Sequence, residues 1–537
     1  MKSKNKKNNF QNSNSLNIKN KQDIIGMNKK NYSIINTESD YLLEQEGLSS
    51  ETVKLKLEKI KNLIKKGKQL YGRKFNRDIL IGDIKKKYSN LLSGQKTEDS
   101  FKIAGRVMIF RIHGKATFCD IKDFSGKIQL YINLKGVGEE KYNEFLELDI
   151  GDWIGVSGNV FVTHKGELSI NVSDFKLLSK SIRILPEKWH GLKNKELRYR
   201  QRYLDFIVNP EVKKVFLTRI KVIDAIRKFL TEKRFLEVET PMLQSIPGGA
   251  AAKPFTTHHN ALNIDLYLRI APELYLKRLI IGGFEKVFEL NRNFRNEGIS
   301  YKHNPEFTML EFYQAYSDYN DLMILTEELI KFVIKKSSGK SKIEYKDNII
   351  NFDGNWERIS MIDAIYKYGE IKIDFNTELG ELISIAKNLK IEVDESFGKG
   401  KIINKIFEEI VQLKLIQPTF VKDYPIEISP LARSHPENEN LTERFELFIG
   451  GEEIANAFSE LIDPKEQLRR FKKQIRSKDE EERVTGRIDT DFLKALEYGM
   501  PPTGGEGIGI DRLIMILTNS KSIKDVILFP LLKPEVD

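Results

Sequence analysis

Apolar and polar residues alternate along positions 101–178, and this alternation predicts a series of short β-strands. The alternation is cleanest over Lys127–Ile132 and Leu168–Val172, and turn residues such as those at Asp123–Gly126 separate neighbouring segments. The predicted strands are Phe101–Phe110, Ala116–Asp123, Lys127–Asn133, Asp152–Thr163 and Leu168–Leu177. Five short strands in one stretch suit a small Greek-key barrel of the oligonucleotide-binding type, although other small barrels have the same periodicity.

Two other stretches show the helical spacing of apolar residues at i, i+3 and i+4. The first runs from Glu51 to about Lys68 and has lysines over much of its polar side. The second is longer and runs from about Glu211 to Lys233. Their predicted apolar faces are Leu57, Ile60, Leu63 and Ile64 in the first helix, and Val215, Ile220, Ile223, Ile226 and Leu230 in the second.

Beyond the second helix, strand-like and helical segments alternate without the regular rhythm of parallel βαβ units. We therefore predict an α+β fold in which helices flank an antiparallel sheet. The stretch from about residue 331 to 440 contains no chemical motif, and we interpret it as an insertion within this domain.

The net charge of +11, from 88 basic and 77 acidic residues, would suit a nucleic-acid partner. Residues 1–32, however, contain eight lysines and one acidic residue, Asp23, so the rest of the chain has a net charge of only +4. The tail from Met1 to about Glu38 is rich in Asn, Lys and Ser, and we expect it to be disordered because it is too polar to bury a core. It lacks the apolar centre of a secretory signal, and no apolar run in the chain is long enough to span a bilayer.

The chain contains a single cysteine, Cys119, so it cannot form an internal disulfide. This favours a reducing compartment. The seven histidines are not spaced with cysteine as the ligands of a zinc site would be.

An arginine stands in the loop of a predicted hairpin. Arg295 lies in Phe294–Gly298, and His303–Phe307 follows, between predicted strands at Lys286–Asn293 and Phe307–Tyr316. An arginine at a hairpin mouth can hold a phosphate or a carboxylate with two hydrogen bonds, and a nearby Phe can stack on a base. Taken alone, such an arginine is more often part of a surface ion pair.

A glycine-rich segment, Gly504–Arg512, runs into the apolar residues Leu513–Leu517. Glycines before a helix allow its N-terminus to approach a phosphate. The spacing is not that of the dinucleotide motif G-x-G-x-x-G, because position 510 is Ile, and no Lys-Ser/Thr pair follows as in a phosphate-binding loop. The segment is therefore either a nucleotide site or a tight turn between a strand and a helix.

Three glutamates, Glu446, Glu453 and Glu460, alternate with apolar residues such as Phe448 and Ile454. This setting indicates partial burial, whereas scattered surface acids would lie among polar residues. Two carboxylates can hold Mg²⁺ while substrate phosphates complete its octahedral coordination.

Together with Phe235–Pro241, which follows the long helix, these segments resemble the three signature motifs of class II aminoacyl-tRNA synthetases. Within that class the chain resembles the lysyl-tRNA synthetases of bacterial type, from about residue 50 to its end. The resemblance is closest over Ser245–Ala252, Tyr267–Leu274, Phe294–Ser300 and Glu453–Leu461. It implies a lysine–tRNA ligase, which activates lysine with ATP and esterifies it to tRNA(Lys).

The resemblance also implies site residues. Arg295 and Arg512 are implied to be catalytic. The implied ATP site is Arg295, Glu297, His303, Asn304, Phe307, Glu453, Gly509 and Arg512, with Phe307 and Arg512 on either side of adenine. The implied lysine site is Gly249, Glu273, Arg295, Glu311, Tyr313, Asn456 and Glu460. Glu446 and Glu453 are implied metal ligands, and Phe118, Gln129 and Glu167 are implied anticodon contacts. The expected cofactor is Mg²⁺, about three ions, with ATP as a substrate.

The domain plan follows from the same resemblance. We expect a polar extension over residues 1–50, a basic helical segment over 51–100, an anticodon-binding OB-fold over 101–181, a linker over 182–210 and the catalytic domain over 211–537. The resemblance further implies tRNA(Lys) as a partner, a homodimer formed through Phe235–Pro241, a cytoplasmic location and no membrane association.

Two positions depart from the family pattern. Glu452 replaces a residue that is often basic, and Glu506 stands where an apolar residue is common.

Four rival interpretations of the function are open. An aspartyl or asparaginyl synthetase must hold a carboxylate or amide side chain, so it would need a basic partner where Glu460 and Tyr313 lie. A paralogue that attaches lysine to elongation factor P would lack the barrel. A non-catalytic scaffold of synthetase descent would be expected to have lost Arg295, Glu453 or Arg512, and a plain oligonucleotide-binding module would not need the C-terminal two-thirds.

Overall fold

The computed structural model describes residues 51–186, 192–394, 396–476 and 488–535. The chain divides into two compact units, Met1–Trp189 and His190–Asp537. The predicted polar extension over residues 1–50 lies outside the described residues.

The first unit is built around a five-stranded closed barrel. Its strands are β1 (Lys96–His113), β2 (Ala116–Lys122), β3 (Lys127–Asn133), β4 (Trp153–Val162) and β5 (Leu168–Ser179). They close in the order β1-β2-β3-β5-β4, with β3 and β5 parallel. All five predicted strands are present, because side chains that alternate along each strand fill the barrel core, as Ile128, Leu130 and Ile132 do in β3.

Four helices accompany the barrel: α1 (Glu51–Lys65), α2 (Ile81–Lys87), α3 (Leu134–Val137) and α4 (Glu139–Leu146). The predicted apolar face of α1 is buried at Ile60 and Leu63. Helices α3 and α4, which lie between β3 and β4, were not predicted. Helix α4 is short and mostly polar, but its Tyr142 and Phe145 are buried in the barrel core.

The second unit contains a large sheet and helices that include the longer of the two predicted ones. Its helices are α5 (Lys195–Arg200), α6 (Arg202–Val208), α7 (Pro210–Glu232), α8 (Glu273–Ile281), α9 (Tyr319–Ser337), α10 (Met361–Gly369), α11 (Leu379–Asn388), α12 (Lys399–Ile410), α13 (Pro464–Arg476), α14 (Thr490–Glu497), α15 (Ile510–Leu517) and α16 (Ile523–Val526). Its strands are β6 (Leu236–Glu237), β7 (Leu243–Gln244), β8 (Thr256–His259), β9 (Ile264–Leu268), β10 (Lys286–Phe294), β11 (Glu306–Ala315), β12 (Lys342–Tyr345), β13 (Asn348–Asn351), β14 (Glu357–Ser360), β15 (Thr419–Pro425), β16 (Leu441–Ile449), β17 (Glu452–Ser459) and β18 (Thr503–Gly509).

Eight of these strands form one sheet in the order β14-β15-β16-β17-β18-β11-β10-β6. The strands from β15 to β10 pair antiparallel, whereas β14 and β6 pair parallel with their neighbours at the two edges. Helices α7, α9 and α15 pack their apolar residues against the sheet in one continuous core. The predicted antiparallel sheet with flanking helices is therefore present.

Two parts of the chain differ from their sequence interpretation. Strands β14 and β15 come from the stretch interpreted as an insertion, about residues 331–440, so that part of it belongs to the sheet itself. Residues 195–208, interpreted as linker, form α5 and α6 within the second unit. Buried Arg202 binds there to Asp205 at 3.0 Å and to the carbonyl oxygen of Leu528 at 3.0 Å.

Helix α7 confirms the second predicted helix almost to the residue, but its apolar face was predicted wrongly at one position. Ile226 and Leu230 are buried, whereas 57% of Ile220 is exposed. Ile220 points away from the sheet because only part of the helix circumference packs on the core. Within the described parts of the chain, no helix is both long and apolar enough to cross a membrane.

Candidate active site

A cavity of about 1120 Å³ opens on one face of the eight-stranded sheet. The structure brings together in its lining thirteen of the residues implied to bind ATP or lysine. They are Gly249, Glu273, Arg295, Glu297, His303, Asn304, Phe307, Glu311, Tyr313, Glu453, Asn456, Gly509 and Arg512. Glu446 and Glu460 are not in the lining. Glu446 accepts a hydrogen bond from Arg444 of the lining, and Glu460 Oε1 lies against the backbone of Gly505, which is also in the lining.

Strand alternation explains how β11 serves both the core and the cavity. Leu310 and Phe312 are fully buried in the apolar core, whereas Glu311 and Tyr313 line the cavity from the other face. Opposite them on β18 stand Gly507 and Gly505. A Cβ at Gly505 would overlap both Glu460 Oε1 and the ring of Tyr313, so a glycine is needed at that position.

Arg295 and Phe307 face each other across the mouth of the β10–β11 hairpin. The guanidinium carbon of Arg295 lies 5.2 Å from the centre of the Phe307 ring. Its Nε has no hydrogen-bond partner within the described residues, although it is shielded from solvent. A partly buried guanidinium with a shielded, unused donor is available to bind an anionic ligand.

Arg512, in the first turn of α15, is held by Glu453. One of its guanidinium nitrogens donates to the carbonyl oxygen of Glu453 at 2.9 Å and to Glu453 Oε2 at 3.1 Å. The other lies 3.4 Å from His303 Nε2. Burial and the nearby charge of Arg512 lower the pKa of His303, so this imidazole is neutral at physiological pH and can accept or donate one hydrogen bond.

Asn304 is anchored with one polar atom to spare. Its Nδ2 donates to the carbonyl oxygen of Glu306 at 2.6 Å, whereas its buried Oδ1 has no partner within the described residues. Glu297, in the same loop, is exposed at the cavity edge.

Glu446 and Glu453 approach each other across the β16–β17 hairpin. The glycines of its turn, Gly450 and Gly451, both have positive φ angles, of 64° and 76°, which tight hairpin turns require. A bulge after Leu447 shifts the register so that Glu453 pairs with Phe448 and lies on the same face as Glu446.

Glu446 is oriented by two donors. Arg444 donates to its Oε1 at 2.6 Å and the Tyr424 hydroxyl donates to its Oε2 at 2.9 Å. Burial, and then the charge of Glu453, raise the pKa of Glu446 to about 7. Two carboxylates that repel each other in this way are suited to share a cation.

At the other end of the cavity lie three buried carboxylates, those of Glu273, Glu311 and Glu460. Burial, and then the charge of Glu273, raise the pKa of Glu311 to about 8. The Tyr313 hydroxyl lies 3.4 Å from Glu311 Oε2. The positive φ of Gly249, 87°, brings its backbone against this group, and a Cβ there would lie 2.9 Å from the Cβ of Glu273.

Lys277, which the sequence interpretation missed, joins two of these acids. Its ammonium donates to Glu273 Oε1 at 2.6 Å and forms an ion pair with Glu460 Oε2. Burial alone would lower the pKa of Lys277, but Glu273 and Glu460 outweigh that effect and raise it, so the ammonium stays charged. Its spacing of four residues from Glu273 on one helix was the available signal.

Asn456 lies between the two ends of the cavity. Its Oδ1 accepts a hydrogen bond from Arg444 Nε at 3.0 Å, which leaves the amide nitrogen to face a ligand. Helix α12 supplies further cavity residues that were not predicted, namely Lys401, Asn404, Lys405 and Glu408. Their i, i+3, i+4, i+7 spacing marks one helix face, but nothing in the sequence indicates that this face meets the cavity.

The two departures from the family pattern, Glu452 and Glu506, both have partners elsewhere in the second unit. Buried Glu452 pairs with Lys302 and Lys346, each at 3.0 Å. Glu506 is buried on the far face of β18, where it accepts a hydrogen bond from Thr326 of α9. Burial raises the pKa of Glu506 well above its usual range, so its carboxyl is neutral.

The outer face of the barrel presents a row of aromatic rings. The ring of Phe118 lies 5.2 Å from that of Tyr131 and 5.8 Å from that of His113, and Tyr131 lies 5.9 Å from Phe161. Only Phe118 of these four was implied in advance; strand alternation places Tyr131 on the same face as Gln129 and could have found it.

The two other implied anticodon contacts are Gln129, on β3, and Glu167, next to β5. Gln129 Oε1 accepts a hydrogen bond from Ser169 at 3.0 Å. Glu167 is exposed just before β5.

Comparison with known proteins agrees with this geometry. Residues 194–533 match the family described as "tRNA synthetases class II (D, K and N)", and residues 101–178 match "OB-fold nucleic acid binding domain". The predicted fold class, an OB-fold barrel followed by a class II catalytic domain, is thereby confirmed.

Individual relatives narrow the family further. The lysine–tRNA ligase of Pelotomaculum thermopropionicum is 56% identical over 493 residues, which are 90% of this chain and 95% of the relative. Those of Carboxydothermus hydrogenoformans and of a Thermoanaerobacter species are 54% identical over 485 residues and 53% identical over 491 residues. These cover 90% and 91% of this chain, and 98% and 97% of the relatives. The chain belongs to the lysine–tRNA ligase family of class II tRNA synthetases.

Proposed function

We propose that this chain is a lysine–tRNA ligase, which forms lysyl-adenylate and pyrophosphate from L-lysine and ATP and then transfers lysine to the 3′ end of tRNA(Lys). The observation that supports it most directly is the cluster of Glu273, Glu311 and Glu460 at one end of the cavity. Lysine has two ammonium groups, and buried carboxylates are the partners that such groups need.

Lysine binds, in this proposal, with its two ends in different environments. Its side-chain ammonium approaches Glu460 and the Tyr313 hydroxyl, and its α-ammonium approaches Glu273, Glu311 and the backbone at Gly249. Its carboxylate lies between Arg295 and the free amide nitrogen of Asn456. Arg295 thus has the unused donor that this carboxylate requires.

ATP occupies the other end. Phe307 and Arg512 enclose adenine, while Arg295, Glu297, His303 and Asn304 contact the triphosphate or the ribose, and Gly509 lets the chain pass close to the nucleotide. Glu446 and Glu453 fit Mg²⁺, since the two carboxylates lie close enough for the charge of Glu453 to raise the pKa of Glu446, and phosphate oxygens would complete the coordination. No group of three or more possible ligand side chains occurs within the described residues, in keeping with a metal held largely by substrate.

The protein's side chains promote the reaction by positioning the substrates and by stabilising charge. The lysine carboxylate is already a nucleophile at neutral pH, so the attack on the α-phosphate needs no protein base. Arg295 and Arg512 stabilise the charge that accumulates on the phosphate, and bound Mg²⁺ would supply further charge neutralisation. The 3′-hydroxyl of tRNA then attacks the adenylate and AMP leaves.

The rival functions fit the structure less well. An aspartyl or asparaginyl enzyme would need a basic residue where Glu460 and Tyr313 lie. The basic residue beside Glu460, Lys277, is bound to two carboxylates and leaves the pocket acidic. The barrel argues against the lysylation of elongation factor P. Arg295, Glu453 and Arg512 all line one cavity, which argues against a non-catalytic scaffold.

The decisive test is ATP–pyrophosphate exchange with each amino acid in turn, followed by aminoacylation of tRNA(Lys). We expect exchange with lysine and much slower exchange with every other amino acid. Faster exchange with aspartate or asparagine, or none with lysine, would overturn the proposal.

Recognition of the anticodon is proposed for Phe118, Gln129 and Glu167 of the barrel. Unstacked bases can stack on the half-exposed rings of Phe118 and Tyr131, while Gln129 can read a base edge.

We expect Phe118→Ala to raise the KM for tRNA(Lys) by roughly one to two orders of magnitude, since one base–aromatic stack contributes about 1–3 kcal/mol. Exchange without tRNA should be unchanged, because it uses only the second unit. Phe124→Ala is the control, because this exposed aromatic lies outside the row of rings. Equal effects of the two variants on aminoacylation would exclude the anticodon role of Phe118.

A homodimer and a cytoplasmic location are further parts of the proposal. Apolar side chains in or beside Phe235–Pro241 are exposed, including Leu236, Met242 and Leu243, as is Ile220 on α7. Their exposure supports burial against a second copy. The single cysteine and the proposed role in protein synthesis support the cytoplasm.

We expect a chain that begins at Ser39 to activate lysine as fast as the full chain, since residues 1–38 contribute none of the site residues. The eight lysines of that segment can add nonspecific contacts with tRNA phosphates, which weaken steeply as salt rises. Pyrophosphate exchange and aminoacylation should be measured for both chains at low and high salt. A large loss of exchange on truncation would show that the segment is structural.

A further inference from the structure

Lys277 is a fully buried lysine that lies behind the cavity wall. Its side chain is 0% exposed, and its ammonium also lies 5.5 Å from the ring centre of Phe458 and 6.0 Å from that of Phe492. Its charge is compensated by the two ion pairs with Glu273 and Glu460.

The charges at this end of the cavity do not cancel in the empty site. With Glu273 and Glu460 ionised, the single ammonium of Lys277 leaves an excess of one negative charge. Glu311, whose pKa is about 8, adds a second negative charge when it loses its proton. Lysine brings two ammonium groups, and its carboxylate lies by Arg295, so the pocket with Glu311 ionised matches the two cationic groups of lysine.

We propose that Lys277 is a positioning and specificity residue, which orients Glu273 and Glu460 and favours their carboxylate form, so that the pocket accepts a ligand with two cationic groups. This inference rests on the proposed function in lysine activation. In the proposed function Lys277 touches neither lysine nor ATP. It acts through Glu273 and Glu460, the two carboxylates that contact lysine.

Without Lys277, the pocket can balance its negative charge when Glu273 or Glu460 takes up a proton. Burial raises the pKa of Glu460 and of Glu273, and Lys277 opposes that effect in both. The other groups that act on this cluster are Glu311 and Tyr313 of β11, with Arg295 and Arg269 acting on Glu311.

The sign of the resulting pH dependence follows. When Lys277 is removed, a carboxyl group takes up a proton at neutral pH, and lysine must displace that proton to bind. Lysine binding then improves as the pH rises. Glu311, whose pKa is about 8, gives the unaltered enzyme a pH dependence of its own, so the ratio of variant to wild-type KM is the informative quantity.

The experiment compares Lys277→Met, which keeps the length of the side chain, with Lys277→Arg, which keeps its charge. In pyrophosphate exchange at about pH 7.5 we expect Lys277→Met to raise the lysine KM roughly tenfold or more, with little change in the ATP KM. The ratio to wild type should fall as the pH rises above neutral. Lys277→Arg should restore most of the affinity. Calorimetry of lysine binding in two buffers should count about one more proton released by Lys277→Met than by wild type.

Lys180 offers a matched control in the barrel unit. It is also 0% exposed and pairs with two carboxylates, Asp149 at 2.6 Å and Asp152 at 2.8 Å. Lys180→Met should lower thermal stability and leave the lysine KM and its pH profile unchanged.

Three outcomes would overturn the proposal. One is an unchanged lysine KM in folded Lys277→Met, and another is a raised KM whose ratio to wild type does not vary with pH and with no extra proton released. The third is the failure of both Lys277→Met and Lys277→Gln to fold while Lys180→Met folds, which would make Lys277 a structural residue. Lysine-dependent exchange by the unaltered enzyme tests the proposed function separately, so the two failures are distinguishable.

Discussion

Glu460→Gln is expected to raise the lysine KM by roughly two to three and a half decades in pyrophosphate exchange, with little change in the ATP KM. The substitution preserves the shape of the side chain and removes its charge. In the proposal the substrate ammonium sits in a closed pocket, and removing one partner of a buried ion pair typically costs about 3–5 kcal/mol. Glu460 is 1% exposed, so water cannot replace the lost carboxylate.

The structure also provides a competing explanation, because Glu460 already pairs with Lys277. If that ion pair were its whole role, Glu460→Gln would lower thermal stability and leave the lysine KM unchanged. Glu506→Gln is a suitable control for the loss of a buried carboxyl. Glu506 contacts Thr326 on the far face of the sheet, and its carboxyl is neutral, so its variant should keep a normal lysine KM.

The result therefore separates recognition from stability. A normal lysine KM in a destabilised Glu460→Gln would retire the ammonium assignment, and the identity of the amino acid that this pocket selects would have to be tested again.

The parts of the fold that the sequence predicted well are those with strong local periodicity. Strand β3 alternates over its whole length, because one side of each barrel strand packs on the core and the other is at least partly exposed. Helix α7 likewise shows its apolar stripe over many turns. Such patterns need no knowledge of what lies across the core.

Non-local pairing was beyond the sequence. Strand β15 shows no alternation of apolar and polar residues, since residues on both of its faces are buried. It pairs with β16, from which residues 426–440 separate it in sequence. Ile220 fails for a related reason: an apolar residue on a helix can face the protein's own core or a second surface, and periodicity does not distinguish the two.

The site shows the same division. The resemblance named thirteen residues that do line one cavity, because motif residues at fixed spacing fold into fixed positions. It did not point to Lys277, since lysine is among the residues least often buried and its role depends on Glu460, which is distant in sequence. The residues of α12 were missed because they have no motif of their own.

The metal assignment is tested by Glu446→Gln and Glu453→Gln. We expect each to lower the rate of pyrophosphate exchange by at least about two orders of magnitude at limiting Mg²⁺, since a metal ion at a transferring phosphate contributes several kcal/mol. Excess Mg²⁺ should restore part of the rate. Glu453→Gln should be the more damaging variant, because the carboxylate of Glu453 pairs with Arg512, which is proposed to act on the phosphate. Gln at 446 can still accept a hydrogen bond from Arg444 through its amide oxygen, while its amide nitrogen can donate to the Tyr424 hydroxyl.

Glu408→Gln distinguishes metal binding from a general loss of negative charge. Glu408 lines the cavity close enough for its charge to raise the pKa of Glu446, but it is exposed on α12 and accepts a hydrogen bond from Asn404 at 2.8 Å. If Mg²⁺ binds Glu446 and Glu453, the Glu408 variant should need little more Mg²⁺ than the wild type for half-maximal exchange. Because amide oxygens are weak ligands for Mg²⁺, the two proposed ligand variants should need far more. Equal Mg²⁺ requirements in all three variants would mean that only the summed negative charge matters, and the assignment of Glu446 and Glu453 as ligands would be wrong.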